Sequence, residues 1–294
     1  MITFEHDISA PFLQDTNRLA ASLLPTLILI PQENAIDVLY TVREYDQNQG
    51  REVLLSTNLS FDDNLYGQKW VFTVVDIISF YWQKDSNTIY YHQDVNGSTK
   101  LNEYWFLHTF LPIFFTIENK FELIHAGSVE INNRPILFIG PSYGGKSTLT
   151  DYFIQQGHAM ISDDKVGLKM SNEIQTIASY PYHRPYREME DLGIKVDNFM
   201  QETKSLHLIY ALHPVDKKDK ISFQKLKGID TFNALQYNFD FNLPLNKARS
   251  FEFISKVAAQ VEIYKLFIPW DLEQLDDVYK AICKHSNQRA INAC

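Results

Sequence analysis

The sequence of 294 residues holds only two cysteines, Cys283 and Cys294. They form no C-x-x-C and no metal-ligand spacing, which excludes a disulfide scaffold or a cysteine zinc site and points to a reducing compartment. Basic residues are outnumbered: 27 Lys and Arg against 36 Asp and Glu leave a net charge of −9. That excludes a nucleic-acid binder working through bulk electrostatics, although a small basic pocket remains open. Glycine and proline are scarce, at 11 each, and 45% of the residues are hydrophobic. Such a composition is globular rather than disordered. No internal repeat or low-complexity tract is present. Long apolar runs are missing too. The most apolar stretch, WFLHTFLPIFFTI (Trp105 to Ile117), is interrupted by His108 and Pro112, and it reads as a buried helix rather than a membrane span. The opening MITFEHDISAPF has no basic region followed by an apolar core, so no signal peptide is expected. The expectation is a cytoplasmic protein with neither nucleic acid nor membrane as partner.

What is there divides into two parts, residues 1–100 and 101–294. The first carries short runs rich in β-branched and aromatic residues: TLILIP, IDVLYTV, EVLLSTNLSF, KWVFTVV and NTIYYHQD. Asn, Asp, Gln and Gly punctuate them, so the part reads as a small β-rich or α+β unit. Its acids and histidine have no spacing that suggests chemistry. A helix around Asn102 to Asn119 joins it to the second part. There FELIHAGSVEI reads as one strand, or as two pieces around Ala126-Gly127. NNR is a turn, and PILFIG is a buried strand. KSTLTDYFIQQG is a helix with Leu149, Phe153 and Ile154 on one face and Gly157 as its stop. HAMISDDKVGLKM reads as one further strand carrying an acidic pair. RSFEFISKVAAQVEIYKL reads as helix then strand. In the last helix Leu272, Leu275, Val278, Tyr279 and Ile282 recur at core spacing, with Asp271 placed to cap its start.

Gly140, Gly145, Lys146 and Ser147 in FIGPSYGGKST fit G-x-x-x-x-G-K-S/T. In that loop, the Walker A motif, backbone N–H groups from Gly140, Pro141, Ser142, Tyr143, Gly144, Gly145, Lys146, Ser147 and Thr148 surround phosphate oxygens wherever the residue has one to give. The lysine reaches the terminal phosphates, and the serine hydroxyl can ligate Mg²⁺. An apolar strand before it and a helix after it supply the right context. Tyr143 stands where crowding against phosphates is worst. Gly144 beside it is expected to take the unusual backbone angles, leaving Tyr143 with ordinary dihedrals and its ring pointing out of the loop.

Three further groups follow. Ser162-Asp163-Asp164 comes directly after the apolar AMI, one helix and a turn beyond Lys146, so both elements can meet at one sheet end. One carboxylate there can hold Mg²⁺ and the other can accept a proton from an attacking hydroxyl. A solvated turn is the plainer alternative. His125 lies in an apolar strand, where a satisfied core histidine is the plainer reading. His183, Arg184 and Arg187 in YHRPYREME suit a phosphate or carboxylate, or else pair locally with Glu188, Glu190 and Asp191.

Taken together, H-A-G-S-V, G-P-S-Y-G-G-K-S-T-L and G-H-A-M-I-S-D-D resemble, in order and spacing, the catalytic domain of HPr kinase/phosphorylase and the wider HPr-kinase-like group. The likeness is specific from Leu123 to Val166 and looser over Asn102 to His285. The resemblance implies an α/β fold of the P-loop kinase type shared with ATP-type phosphoenolpyruvate carboxykinases, preceded here by the β-rich or α+β unit. It implies ATP- and Mg²⁺-dependent phosphorylation of a serine in a protein or peptide. Lys146 and the loop amides would hold the nucleotide phosphates, and Ser147 would bind Mg²⁺. One of Asp163 and Asp164 would be the catalytic base and the other a metal or positioning ligand. His125 would sit beside the phosphates. The family loop reads G-x-S-G-x-G-K-S, and Tyr143 replaces its middle glycine. The bifunctional enzymes' HPr-binding segment has no recognisable counterpart, whereas stand-alone relatives act on other acceptors, including serines of small biosynthetic peptides. The alternative function is a nucleotide-binding regulatory or assembly module without phosphotransfer. Oligomerisation is compatible with either.

Overall fold

The computed structural model describes residues 28–31, 40–45, 50–58, 68–86, 88–177, 182–184, 188–200, 202–239 and 247–291. The architecture is mixed α/β with several sheets. The described residues fall into two compact units: those within Met1–Lys120 and Tyr186–Leu192, and those within Phe121–Pro185 and Gly193–Cys294.

The first unit is a six-stranded sheet in the order β1-β6-β5-β4-β3-β2. Its strands are β1 (Ile28–Pro31), β2 (Tyr40–Tyr45), β3 (Val53–Thr57), β4 (Lys69–Val74), β5 (Ile78–Gln83) and β6 (Thr88–Gln93). All neighbours are antiparallel except β1 with β6. Strand β5 was not among the five expected runs. Its apolar residues continue those of β4 without a gap, and the turn between them is made by Asp76 at φ 64 rather than by glycine or proline. A helical segment packs on the sheet: α1 (Thr99–Tyr104), a π-helical turn (Trp105–Phe110) and α2 (Leu111–Ile117). Pro112 has no N–H to give the His108 carbonyl, and its ring would crowd that carbonyl in an α-helix. The backbone widens there, and the Leu111 N–H reaches back to the Phe106 carbonyl. Such a bulge accommodates the proline. Phe110 stacks on Phe80 at 4.4 Å between centroids. Glu190 belongs to this unit and accepts from Arg51 Nε, Arg51 Nη2 and Trp105 Nε1. Among the described residues no helix is long and apolar enough to cross a membrane.

The second unit has a main sheet in the order β10-β8-β9-β16-β18-β17 and a smaller one in the order β15-β12-β11-β7. Its strands are β7 (Glu122–His125), β8 (Gly127–Ile131), β9 (Arg134–Ile139), β10 (Met160–Ser162), β11 (Lys165–Met170), β12 (Ile174–Ile177), β13 (Tyr182–His183), β14 (Ile194–Lys195), β15 (Lys204–Ser205), β16 (Leu208–Val215), β17 (Ser222–Lys225) and β18 (Glu262–Pro269). The helices are α3 (Lys146–Gln155), α4 (Ile229–Gln236), α5 (Lys247–Gln260) and α6 (Leu275–Ile291). Strands β9, β16 and β18 run parallel. Both faces of β9 are covered: Ile136 and Phe138 pack with Leu149, Phe153, Val278 and Ile282, and Leu137 and Ile139 pack with Val166, Leu235 and Val257. Burial on both faces explains why the strand is an unbroken apolar run. Asn132 and Asn133, at φ 50 and 62, make the two-residue turn between β8 and β9, as left-handed asparagines do in hairpins. Gly157, at φ 90, follows α3 as expected. Leu272 departs from the expected core stripe. It lies in a 3₁₀ turn before α6 and is 75% exposed.

The chain changes sheet twice in adjacent places. It leaves the small sheet after His125 and enters the main one at Gly127, and it leaves the main sheet after Ser162 and enters the small one at Lys165. HAMISDDKVGLKM is therefore two strands broken at the acidic pair, not one. Ser162 Oγ accepts from the Asp164 and Lys165 amides and makes the bend, a local turn of the kind serine favours.

Candidate functional site

The loop Gly140–Gly145, expected to hold phosphate, connects β9 to α3. Gly140 at φ 151 and Gly145 at φ 89 take angles that favour glycine. Gly145 is the N-cap of α3, with no capping side chain and no acid in the first turn. The helix's own cap and first turn thus add no negative side chain at the positive end of its dipole. Lys146 is 2% exposed, and its Nζ donates to the Gly140 and Pro141 carbonyls at 2.8 and 3.0 Å. Ser142 and Thr148 are exposed and Ser147 is half-buried.

The expected division of labour between Tyr143 and Gly144 is reversed. Tyr143 itself is left-handed, at φ 60, and Gly144 is not. Gly144 is needed for space instead, because a Cβ there would lie 2.9 Å from the Pro141 carbonyl oxygen, which accepts the Gly144 N–H at 3.1 Å. The Tyr143 ring does point outward, at 91% exposed.

The two sheet crossings bring His125 and the acidic pair together. His125 pairs in register with Lys165, and the Ala126 N–H donates to the Asp164 carbonyl at 2.9 Å. His125 Nδ1 lies 3.1 Å from Asp164 Oδ1, with both side chains partly exposed. Asp163 turns the other way. It is 3% exposed, and its Oδ2 accepts from the Arg184 N–H at 2.6 Å and faces His183 Nδ1 at 3.1 Å. His183 Nε2 faces Asp151 Oδ1, on α3, at 3.1 Å. Burial pushes the His183 imidazole down, but the hydrogen bonds and charges of Asp163 and Asp151 outweigh it and hold its pKa above the ordinary histidine value. Through its two nitrogens the ring links Asp163 to Asp151 on α3. Arg184 is buried, and Arg187 lies outside the described residues. Of the local acids considered for the arginines, Glu190 pairs with Arg51 and Asp191 with Lys100, the latter at 3.3 Å.

Two contacts couple the loop to the His125–Asp164 pair. Asn238, after α4, is 5% exposed; its Oδ1 accepts the Gly140 N–H at 3.1 Å and its carbonyl accepts the His125 N–H at 2.7 Å. Gly127, two residues after His125, lies against α3, where an added Cβ would meet Thr150 Oγ1 at 2.2 Å and the Lys146 carbonyl oxygen at 3.2 Å. Sequence reasoning missed Asn238 and Asp151, which act across long sequence separations and sit in no motif.

Among the described residues no group of three or more His, Cys, Asp or Glu could hold a metal on its own. Mg²⁺ in nucleotide sites takes one or two carboxylates together with phosphate oxygens and water. Ser147 with Asp164, whose side chain is 19% exposed, suits that sparse demand. Asp163 is already committed to His183 and Arg184.

No protein-family model matches the chain. No curated protein matches it in sequence. Among solved structures 43 chains match. One is the HPr(Ser) kinase/phosphatase from Coxiella burnetii, with a TM-score of 0.37 and 16% identity, over 57% of this chain and 97% of its own.

Proposed function

We propose that the chain binds ATP with Mg²⁺ on the Gly140–Ser147 loop and transfers the γ-phosphate to a hydroxyl, that of a serine in a protein or peptide. The observation that carries this reading is the bridge made by Asn238. One buried side chain and its own backbone fix both the first amide of the phosphate loop and the strand end bearing His125. A loop that only held a nucleotide would have no need of a histidine–aspartate pair anchored to its first residue.

Lys146 and the loop amides would hold the phosphates, with Ser147 and Asp164 as ligands to Mg²⁺, which supplies charge neutralisation at the phosphate oxygens. Asp164 is also the base. As the acceptor oxygen bonds to the γ-phosphorus and the bridging oxygen departs with ADP, the hydroxyl proton passes to the Asp164 carboxylate. His125 orients that carboxylate through its 3.1 Å contact. Asp163 is a positioning residue, anchored by the His183 ring and the Arg184 amide.

The test uses ATP labelled in the γ-phosphate, a cell lysate and the full chain. Wild type should label a serine-bearing acceptor, and Asp164→Asn should label none. Identical labelling patterns in the two would sink the proposal. A second reading, a nucleotide-gated module without transfer, is favoured by Tyr143, whose exposed ring stands at the crest of the loop. Mg·ATP binding with no labelled acceptor and no phosphate release would select it.

A further inference from the structure

Beside the loop lies a cavity of about 240 Å³ whose walls include Gly145, Thr148, Ile268, Trp270, Leu272 and Leu275. Gly145 and Thr148 belong to the phosphate loop and the first turn of α3, so cavity and loop share a wall. Trp270 follows β18 directly, and its N–H donates to the Val215 carbonyl at 3.0 Å, which ties it to the end of the neighbouring parallel strand. A Cβ built on Gly145 would lie 3.4 Å from Trp270 Cζ3, an ordinary van der Waals distance, so the indole lies directly beside the loop backbone. The indole is 57% exposed, whereas Trp70, Trp82 and Trp105 are at most 3% exposed. Of the four tryptophans in the chain, this one alone offers its ring to solvent. Nothing in the packing of the core requires that.

We propose that this cavity takes the purine base of the nucleotide, stacked on Trp270, with the phosphates running from it into the loop. The inference rests on the reading of the loop as a nucleotide site and adds where the base goes and how it is chosen. The volume falls below the roughly 300 Å³ at which drug-sized sites begin, which suits a base rather than a whole nucleotide. The wall is mostly aliphatic and aromatic. Its one carboxylate, on Asp271, accepts from the Glu273 N–H at 3.1 Å and caps the turn ahead of α6. With Asp271 engaged at the cap and Thr148 the one other polar side chain of the wall, the cavity recognises the flat face more than the hydrogen-bonding pattern. Adenine and guanine nucleotides bind alike, and pyrimidine nucleotides, with less area to stack, bind more weakly.

Calorimetry on the full chain with Mg²⁺ compares ATP, GTP, CTP and base-free tripolyphosphate. Acrylamide quenching of tryptophan fluorescence is read in parallel, because Trp270 is the ring open to the quencher. ATP and GTP should bind within about threefold of each other, both more tightly than CTP, and should protect the quenchable fraction, which tripolyphosphate leaves exposed. Losing an aromatic platform under a base lowers affinity by roughly 5- to 150-fold. Trp270→Ala should lose that much for ATP and nothing for tripolyphosphate, and Trp270→Phe should restore most of it. Since the side chain is largely exposed, both variants should unfold near the wild-type urea midpoint. Equal ATP affinity in wild type and Trp270→Ala, or ATP binding no tighter than tripolyphosphate, overturns the base site and leaves the loop reading standing. A strong preference between ATP and GTP overturns recognition by the flat face. Binding of neither ATP nor tripolyphosphate overturns the loop reading and this inference with it.

Discussion

Gly127→Ala is the sharpest probe of the contact between β8 and α3, on which the site depends. An alanine Cβ would stand 2.2 Å from Thr150 Oγ1 and 3.2 Å from the Lys146 carbonyl oxygen. The first distance is a collision and the second a squeeze. Thr150 is fully buried, and rotating its hydroxyl away brings the γ-methyl into the same crowded space. Overpacking of this kind costs about 1–3 kcal/mol. The Thr150 hydroxyl has no hydrogen-bond partner among the described residues. Thr150→Ala therefore removes an unsatisfied polar atom along with a methyl group, two effects of opposite sign, and should change stability by less than about 1 kcal/mol. In urea unfolding, Gly127→Ala should lose about 1–3 kcal/mol, and the double variant should recover most of that loss as a favourable coupling. Because the second contact is with the Lys146 carbonyl oxygen, which Thr150→Ala leaves in place, Gly127→Ala should also weaken Mg·ATP binding, and the double variant should recover stability more fully than binding. Strict additivity of the two substitutions would refute the packing described.

Three other outcomes follow from single residues. Tyr143 holds φ 60 with an exposed ring, and left-handed backbone costs an L residue roughly 1–2 kcal/mol; Tyr143→Gly should raise unfolding stability by about 1 kcal/mol after glycine's greater chain entropy, and a loss would contradict the assigned backbone. If the same variant changes acceptor choice the ring belongs to the substrate site, whereas faster turnover with unchanged choice marks it as an obstruction. The raised pKa of His183 makes its contribution complete below the ordinary value near 6.5 and lost as pH climbs through the folded value; wild type should lose more stability than His183→Gln between pH 6 and pH 9, and parallel profiles would refute the link. His285 is pulled the other way, to about 4, first by burial and then by the charge of Arg289, while its Nδ1 meets Tyr210 Oη at 2.8 Å. The neutral ring is full strength above about pH 6.5, and roughly 3 kcal/mol should drain away as pH falls towards 4, a loss that His285→Gln should largely abolish.

The loop was legible because every part of it is local: an apolar strand, glycines at fixed offsets, a lysine and a helix. The sheet crossings were not. Whether Lys165 pairs with His125 or continues the strand from Ser162 is decided by partners far along the chain, and the alternation of side chains looks the same in both cases. In the sequence the acidic pair reads as one unit, whereas its two members face different histidines on either side of the bend at Ser162. Asn238 carries no motif and becomes meaningful only where α4 ends beside Gly140. Trp270 sits in no motif, and its exposure, just ahead of the 3₁₀ turn at Leu272–Gln274, is visible only in the fold.

The central claim, that this site moves a γ-phosphate and does not merely hold one, is tested most directly by measuring Mg·ATP affinity and γ-label transfer together. Wild type, Lys146→Ala and Asp164→Asn should be compared in the same lysate. Lys146→Ala should lose both binding and transfer. Asp164→Asn should bind Mg·ATP within about tenfold of wild type and transfer nothing. Transfer by Asp164→Asn at the wild-type rate, or undiminished ATP binding by Lys146→Ala, would contradict that claim.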